Sequence, residues 1–233
     1  MSIFTKMGIT FNFNGQEIWL HEELVNSFIV VIVLCIFYII LGNKIAKADP
    51  LVKPVGLILI AEIIYSTIDN LVIENMGERN KKFTPYIIAL ASFLALSNIL
   101  GLFGLKPPTA DYNVTLTLAL ITAFLIHYVK IKARGIGGFL KSFIEPMPLM
   151  LPMNIIDVFS TPISMSFRLF GNVISGVLII SLIYSGLNAL FPLLIPVIAP
   201  VFHVYFDLFA GFLQTFIFIM LTMVFVGDSN AQD

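Results

Sequence analysis

A single arginine inside an apolar stretch is the residue of this sequence best suited to chemistry. Between positions 163 and 183 almost every side chain is apolar or small, and Arg168 is the only cation. A guanidinium stays charged in any protein environment, and at the centre of a membrane helix it costs about 3 kcal/mol or more. Such a residue needs water, a carboxylate or a function.

Polar side chains recur around this arginine at steps of three or four residues. They are Asp157, Thr161, Ser164, Arg168, Asn172 and Ser175. On a helical period of 3.6 residues they share one face, and Gly171 and Gly176 beside them would allow a second helix to approach closely. Arg168 is too far from both ends of its apolar run for its side chain to reach a lipid headgroup easily. The spacing therefore predicts a buried polar stripe.

The last apolar segment carries a second polar stripe, formed by His203, Asp207, Gln214 and Thr222. Each residue alone has a structural explanation: His203 could lie among lipid headgroups, and Gln214 could hold two helices together. Two helices with facing polar stripes, one of which contains a lone arginine, indicate an ion path between them.

Composition indicates the class of protein. Hydrophobic residues make up 58% of the chain and charged residues only 12%, whereas a soluble domain carries about twice that charged fraction. We therefore expect an all-α polytopic membrane protein. A net charge of −1 gives no reason to expect a nucleic-acid partner, and the single cysteine excludes an internal disulfide.

The apolar runs predict one membrane domain, residues 1–233, with five transmembrane helices. The predicted segments are an external N-terminal segment 1–24, spans at 25–42, 85–105 and 114–130, an arginine helix at 154–187 and a last helix at 201–226. Residues 54–76 are predicted to form an interfacial or cytoplasmic amphipathic helix, and 135–152 an interfacial loop or helix. Glu62 and Asp69 leave open the alternative that 55–73 is a true span with functional carboxylates. A proline-interrupted loop is expected at 189–200.

Lysine and arginine positions predict the orientation. Six lie between positions 44 and 82, and four between 130 and 141. By the positive-inside rule these loops are cytoplasmic. The N-terminus is therefore predicted to be outside and the C-terminus cytoplasmic.

Three segments carry a resemblance to a known family. The sequence SMSFRLFGN from Ser164 to Asn172 is similar to the arginine helix of subunit a of rotary F-type ATP synthases. LQTFIFIMLT from Leu213 to Thr222 resembles the last helix of that subunit, and PTADYNVTL from Pro108 to Leu116 resembles its external loop and the following span. The three matches occur in the family's order.

The resemblance implies a non-catalytic stator of the Fo sector, beside a ring of c subunits (the c-ring) and the peripheral stalk subunit b. Two half-channels would load and unload protons, or sodium ions, on the ring carboxylates. The last two helices would be long and tilted against the c-ring. The membrane would be a bacterial plasma membrane or, alternatively, a plastid thylakoid, and no cofactor or bound metal is implied.

The resemblance also implies roles for individual residues. Arg168 would be the essential charge, with Gln214 facing it. The residues expected to line an aqueous half-channel are Asn172, Ser175, His203 and Asp207. Asp111 is a candidate for the external entrance, and Asp157 for the cytoplasmic exit with Glu145 as a weaker candidate. Many members pair a titratable residue five positions after the Gly-Asn motif with one on the last helix, but Val177 occupies that position here, so only Asp207 of the pair titrates.

Two other functions were considered. A stand-alone ion channel or secondary transporter would be expected to show paired halves with matching broken helices, and no internal repeat is found. An intramembrane enzyme would need a metal cluster or a Ser–His arrangement. The three histidines, His21, His127 and His203, lie in different segments.

Overall fold

The computed structural model describes residues 8–13, 16–49, 53–144, 147–190 and 192–228 of the chain. In this part, two strands come first and helices follow. The elements are β1 (Gly8–Phe13), β2 (Gln16–His21), α1 (Glu22–Ala46), α2 (Leu57–Met76), α3 (Thr84–Ile99), α4 (Tyr112–Ser142), α5 (Leu151–Leu190), α6 (Ile195–His203) and α7 (Gly211–Asp228). A π-helical segment, Val204–Ala210, joins α6 to α7.

Five segments of the described residues are long and apolar enough to cross a membrane. They are Glu22–Ala46, Glu78–Phe103, Tyr112–Ser142, Pro148–Ala189 and Ile195–Asp228. The predicted helical fold with five spans is thereby confirmed. Helix α2 is not among the five, because its carboxylates Glu62, Asp69 and Glu74 interrupt its apolar surface.

The strands form an antiparallel hairpin that pairs Gly8 with His21 and Phe13 with Gln16. The sequence predicted only an external N-terminal segment here, without strands. Apolar residues alternate with polar ones along β1, GITFNF, and this period of two is typical of a strand. In β2, QEIWLH, the apolar residues Ile18, Trp19 and Leu20 are consecutive. The hairpin is an addition to the predicted helical fold.

The segment predicted as a loop, 189–200, and the segment predicted as an interfacial loop or helix, 135–152, are both partly helical. The proline-containing stretch predicted as a loop becomes helix from Ile195 onward, because Pro196 occupies the first turn, where no backbone N–H is needed. Helix α4 continues to Ser142 through a kink at Gly135, whose φ is 70° and ψ 171°. After the kink the chain turns back, so that the rings of Phe139 and His127 lie 6.0 Å apart.

Helix α7 lies at the centre of the core. One cluster joins it to α2, α3 and α4, and contains Val72, Met76, Ile87, Ile126, Val129, Met223 and Val226. A second cluster joins it to α3, α4 and α5, and contains Leu90, Leu94, Ala119, Met165, Leu169 and Phe218. The second cluster fixes the rotation of α5, because Met165 and Leu169 must point inward.

A polar contact locks α3 against the start of α7. The buried Asn98 side-chain amide donates to the carbonyl of Gly211 at 2.9 Å and to the hydroxyl of Thr215 at 3.2 Å. A Cβ atom added to Gly211 would lie only 2.8 Å from Asn98 Cβ. Position 211 must therefore be glycine for the two helices to approach this closely.

An ion pair with an exposed lysine, together with a buried hydrogen bond, fastens α2 to the 3₁₀ segment Glu78–Phe83 and to the start of α3. The Asp69 carboxylate lies 2.9 Å from Lys81 Nζ and accepts a hydrogen bond from the Thr84 hydroxyl at 2.9 Å. The hydrogen bond from Lys81 holds the pKa of Asp69 below its ordinary value, and Thr84 acts in the same direction. The carboxylate that the sequence left open as a functional group is used here in helix packing.

Replacing Gly211 by alanine is expected to destabilise the folded protein by about 1–3 kcal/mol, because the new methyl group overpacks the Asn98 contact. Thermal unfolding in detergent measures the loss as a lower Tm. Gly186→Ala is the matched control, since nothing lies within 4 Å of a Cβ at that position. Equal Tm values for the two variants would show that the α3–α7 contact is not tight.

Asp69→Asn is expected to lower the Tm at neutral pH. A carboxylate whose pKa is depressed by folding stabilises the fold above its unfolded pKa of about 3.9, and that stabilisation disappears as the pH falls through the lower folded value. The Tm difference between wild type and Asp69→Asn should therefore shrink below about pH 4. Exposed Glu74 on the same helix provides the control Glu74→Gln. A Tm difference that is independent of pH would contradict the ion pair's role.

Candidate functional site

The arginine helix turns Arg168 away from the rest of the chain. Met165 and Leu169 are each only 2% exposed and pack into the core, whereas Arg168 is exposed. Within the described residues Arg168 has no hydrogen bond and no ion pair. The expectation of a stripe buried within this chain is therefore wrong at Arg168, because α5 buries its apolar face instead.

The stripe changes character one turn further along α5. Asn172 is half-buried, and its side-chain amide approaches the carbonyl of Ala210 in the π-helical segment at 3.4 Å. Ser175 is exposed, and its hydroxyl donates to the carbonyl of Asn172 at 3.0 Å. Asn172 thus marks the point where the polar face of α5 meets the segment that precedes α7.

A cavity of about 280 Å³ opens at this point. It lies between the end of α3, the second half of α5 and the π-helical segment. Its polar and charged lining residues are Asn98, Lys106, Asn172, Ser181, Tyr184, His203 and Asp207. A cavity with this lining has room and hydrogen-bonding partners for water. It ends at Asn172, about 6 Å along the helix axis from Arg168.

Three of the lining side chains form a hydrogen-bonded chain. His203 Nδ1 lies 2.7 Å from Asp207 Oδ2, and His203 Nε2 lies 3.1 Å from the Tyr184 hydroxyl. An ionised carboxylate only accepts, so Nδ1 carries the hydrogen of the bond to Asp207, and the Tyr184 hydroxyl is the partner of Nε2 on the other side of the ring. Asp207 itself lies in the π-helical segment, a rare conformation that is frequent at functional sites.

The mouth of the cavity is tied to the first helix. Lys106 Nζ lies 3.4 Å from Glu22 Oε2 and 3.5 Å from Glu23 Oε1, and the carbonyl of Lys106 accepts from the Asn26 side chain at 2.9 Å. Lys106 is thus paired with two carboxylates of α1, which hold this lining residue in place.

Gln214 is separate from this cavity. It lies on α7 with 6% of its surface exposed, and its amide nitrogen has no hydrogen-bond partner. Within the described residues no hydrogen bond joins it to Arg168. An unpaired buried amide is costly, so Gln214 is a candidate functional residue. That it faces Arg168 stays a prediction.

The two carboxylates proposed for the channel ends do not line the cavity. Asp111 caps α4, because its Oδ1 accepts from the backbone N–H of Asn113 at 2.8 Å. Asp157 is exposed on α5, about 16 Å along the axis from Arg168 on the opposite side from the cavity. Glu145 lies outside the described residues.

Sequence reasoning missed two residues of the cavity and left a third without a role. Asn98 is a polar residue inside the predicted span 85–105, and this position was a usable signal of function. Gly101 follows one turn later. Tyr184 is not in step with the polar stripe of α5, and no sequence signal pointed to its contact with His203.

Comparison with known proteins adds an independent line of support. A family model described as ATP synthase A chain matches residues 24–227. The chain is 41% identical over 184 residues to the sodium ion specific ATP synthase subunit a of Propionigenium modestum. The aligned region covers 72% of this chain and 61% of that protein.

Other relatives are covered more fully. ATP synthase subunit a of Streptococcus agalactiae is 35% identical over 187 residues, 76% of this chain and 78% of the relative. That of a Sulfurihydrogenibium species is 34% identical over 215 residues, 90% of this chain and 97% of the relative. Five candidate spans, the arginine helix and these similarities agree, and the chain belongs to the ATP synthase A chain family.

Proposed function

We propose that this chain is the stationary subunit a of an F-type ATP synthase, which carries ions to and from a rotating c-ring. The observation that carries the proposal is the open face around Arg168. A charged guanidinium that faces lipid without a counter-charge is costly, so this face needs a partner that supplies carboxylates or water. Each c subunit, with its membrane carboxylate, is such a partner.

The arginine would act by favouring the ionised form of the ring carboxylate. A carboxylate that crosses lipid must be neutral and so carries its ion. Opposite a guanidinium at about 4 Å, with an effective dielectric of about 20, the charged form gains about 4 kcal/mol. This corresponds to about three pKa units on the ring carboxylate, enough to drive release of the ion.

The cavity lined by Asn172, His203 and Asp207 is the proposed external half-channel. Its polar lining lets water and ions approach as far as Asn172, one turn from Arg168. Ser175, His203 and Asp207 are assigned to the same path, and Asp111 to its external entrance. On the cytoplasmic side, Asp157 is assigned to the exit. Arg168 between the two half-channels would repel free cations and so prevent a direct leak.

The assembly and its setting follow from this role. We assign the c-ring and the peripheral stalk subunit b as protein partners, with the N-terminus outside and α2 along the cytoplasmic interface. A bacterial plasma membrane is the proposed location. The transported ion is a proton or a sodium ion, and the name of the Propionigenium relative makes sodium a case that experiments must include. A stand-alone channel is not favoured, because it would have to shield Arg168 within its own chain.

Arg168→Ala is expected to reduce ion-driven ATP synthesis to background. The loss of about 4 kcal/mol of carboxylate stabilisation corresponds to a rate loss of roughly a thousandfold. Synthesis is measured in inverted vesicles that carry the assembled complex, with proton and sodium gradients applied separately. The control is Arg79→Ala, which removes an exposed arginine from the loop between α2 and α3.

The assembled complex must be quantified in each preparation. Arg168→Lys should also fail to support normal rates, because a buried lysine can lose its proton and is a compact charge in place of the planar guanidinium. Wild-type rates of coupled synthesis in Arg168→Ala would contradict the proposed mechanism.

A water-soluble thiol reagent should reach the proposed half-channel from the outside. In a Cys35→Ala background, Ser181→Cys lines the cavity and is expected to react, because a thiol needs water to ionise. The neighbouring Leu182→Cys, which is 70% exposed but does not line the cavity, should react much more slowly in the membrane. Equal labelling of the two positions would exclude a water-filled path here.

A further inference from the structure

Gly101 lies beside Asp207, which among the described residues is the carboxylate that lines the cavity. The glycine lies in the short 3₁₀ turn Leu100–Phe103 that follows α3. A Cβ atom at this position would lie 3.1 Å from Asp207 Cγ and 3.3 Å from both carboxylate oxygens. Contacts this short require the neighbouring group to move.

The backbone does not explain the glycine. Gly101 is not among the positive-φ glycines, which in the described residues are Gly56, Gly77, Gly104 and Gly135. Alanine could therefore adopt the same backbone conformation. Gly176, which lines the same cavity, would place a Cβ at an ordinary 3.6 Å from Phe206. At position 101 what matters is the space that the carboxylate occupies.

Asp207 cannot move away freely, because its other side is engaged. Its Oδ2 holds His203 Nδ1 at 2.7 Å, and the opposite nitrogen of that ring meets the Tyr184 hydroxyl at 3.1 Å. Displacing the carboxylate by a few tenths of an ångström would lengthen the Asp207–His203 hydrogen bond. That bond is part of the hydrogen-bonded series Tyr184–His203–Asp207, which links α5 to the π-helical segment.

The other charged group that lines the cavity in the described structure is Lys106. It is already held by Glu22 and Glu23 at 3.4 and 3.5 Å. Two groups therefore face His203. They are the Asp207 carboxylate, in the π-helical segment that continues from α6, and the Tyr184 hydroxyl on α5. Gly101, which follows α3, has no side chain. These two contacts fix the imidazole, and Gly101 leaves space for the Asp207 carboxylate that makes one of them.

We propose that Gly101 and Tyr184 are positioning residues for the external half-channel. Gly101 provides the space in which the Asp207 carboxylate holds His203, and Tyr184 fixes the opposite side of the imidazole. The Tyr184–His203–Asp207 chain thus takes the place of the residue pair that Val177 cannot supply. This inference rests on the proposed function.

The test is a double-mutant cycle on ion-driven ATP synthesis in vesicles that carry the whole complex. Gly101→Ala should lower the rate roughly five- to tenfold, whereas Gly186→Ala, with open space around its Cβ, should not. Because Gly101 acts through the carboxylate, Gly101→Ala combined with Asp207→Asn should match Asp207→Asn alone within about twofold. Additive losses in the double variant would overturn the proposal.

The pH profile of synthesis gives a second readout that general destabilisation would not change. Gly101→Ala and Tyr184→Phe should each displace the profile by about half a pH unit or more. The matched control for the hydroxyl is Tyr205→Phe, since Tyr205 is exposed in the same region and its hydroxyl has no hydrogen bond in the described structure. Profiles identical to wild type in both variants would overturn the positioning roles.

Arg168→Ala is measured in the same preparations to separate the two proposals. If it abolishes coupling while Gly101→Ala behaves like Gly186→Ala, only the positioning proposal fails. If it leaves coupling intact, the stator function itself fails.

Discussion

The structure depends on a positive charge that the described part of its chain does not neutralise. Arg168 is the only lysine or arginine of its candidate span, and the described residues offer it no hydrogen bond and no ion pair. A fixed guanidinium in a membrane is stable only beside water or negative charge. The described part of the chain therefore leaves this guanidinium to be balanced by water or by a neighbouring molecule. A neighbour whose carboxylates arrive and leave in turn converts this cost into a means of releasing ions.

The rest of the fold holds that charge in place. Met165 and Leu169 anchor an adjacent face of α5 in the core, so rotating the helix to bury its arginine would expose them. Asn98 and Gly211 bring α3 into contact with α7, and the π-helical segment between α6 and α7 directs Asp207 into the cavity beside α5. A tight, uncharged contact between helices thus lies beside a polar cavity, and both end near the same turn of α5.

Much of this was accessible from the sequence, for definite reasons. Long apolar runs predicted five spans, because membrane helices need about twenty apolar residues, and period-3.6 spacing placed Arg168 and Asn172 on one face. The direction of that face was not accessible, since burial depends on which neighbours α5 meets. Tyr184 reaches His203 only because α6 folds back along α5, and Gly101 matters only because Asp207 comes from far along the chain. Asp111, which sequence reasoning placed at a channel entrance, makes a local cap that depends on its own turn.

The most direct measurement is to identify what covers the arginine face in the native complex. A photo-crosslinking residue, p-benzoylphenylalanine, placed at Gly171, which is exposed and has open space around its Cβ, should capture its nearest neighbour upon illumination in intact membranes. Mass spectrometry of the product then names that neighbour. We expect the main product to be a crosslink to the c subunit. Crosslinks only to lipid, or only within this chain, would contradict it, because Arg168 would then lack the partner carboxylate on which the whole mechanism depends.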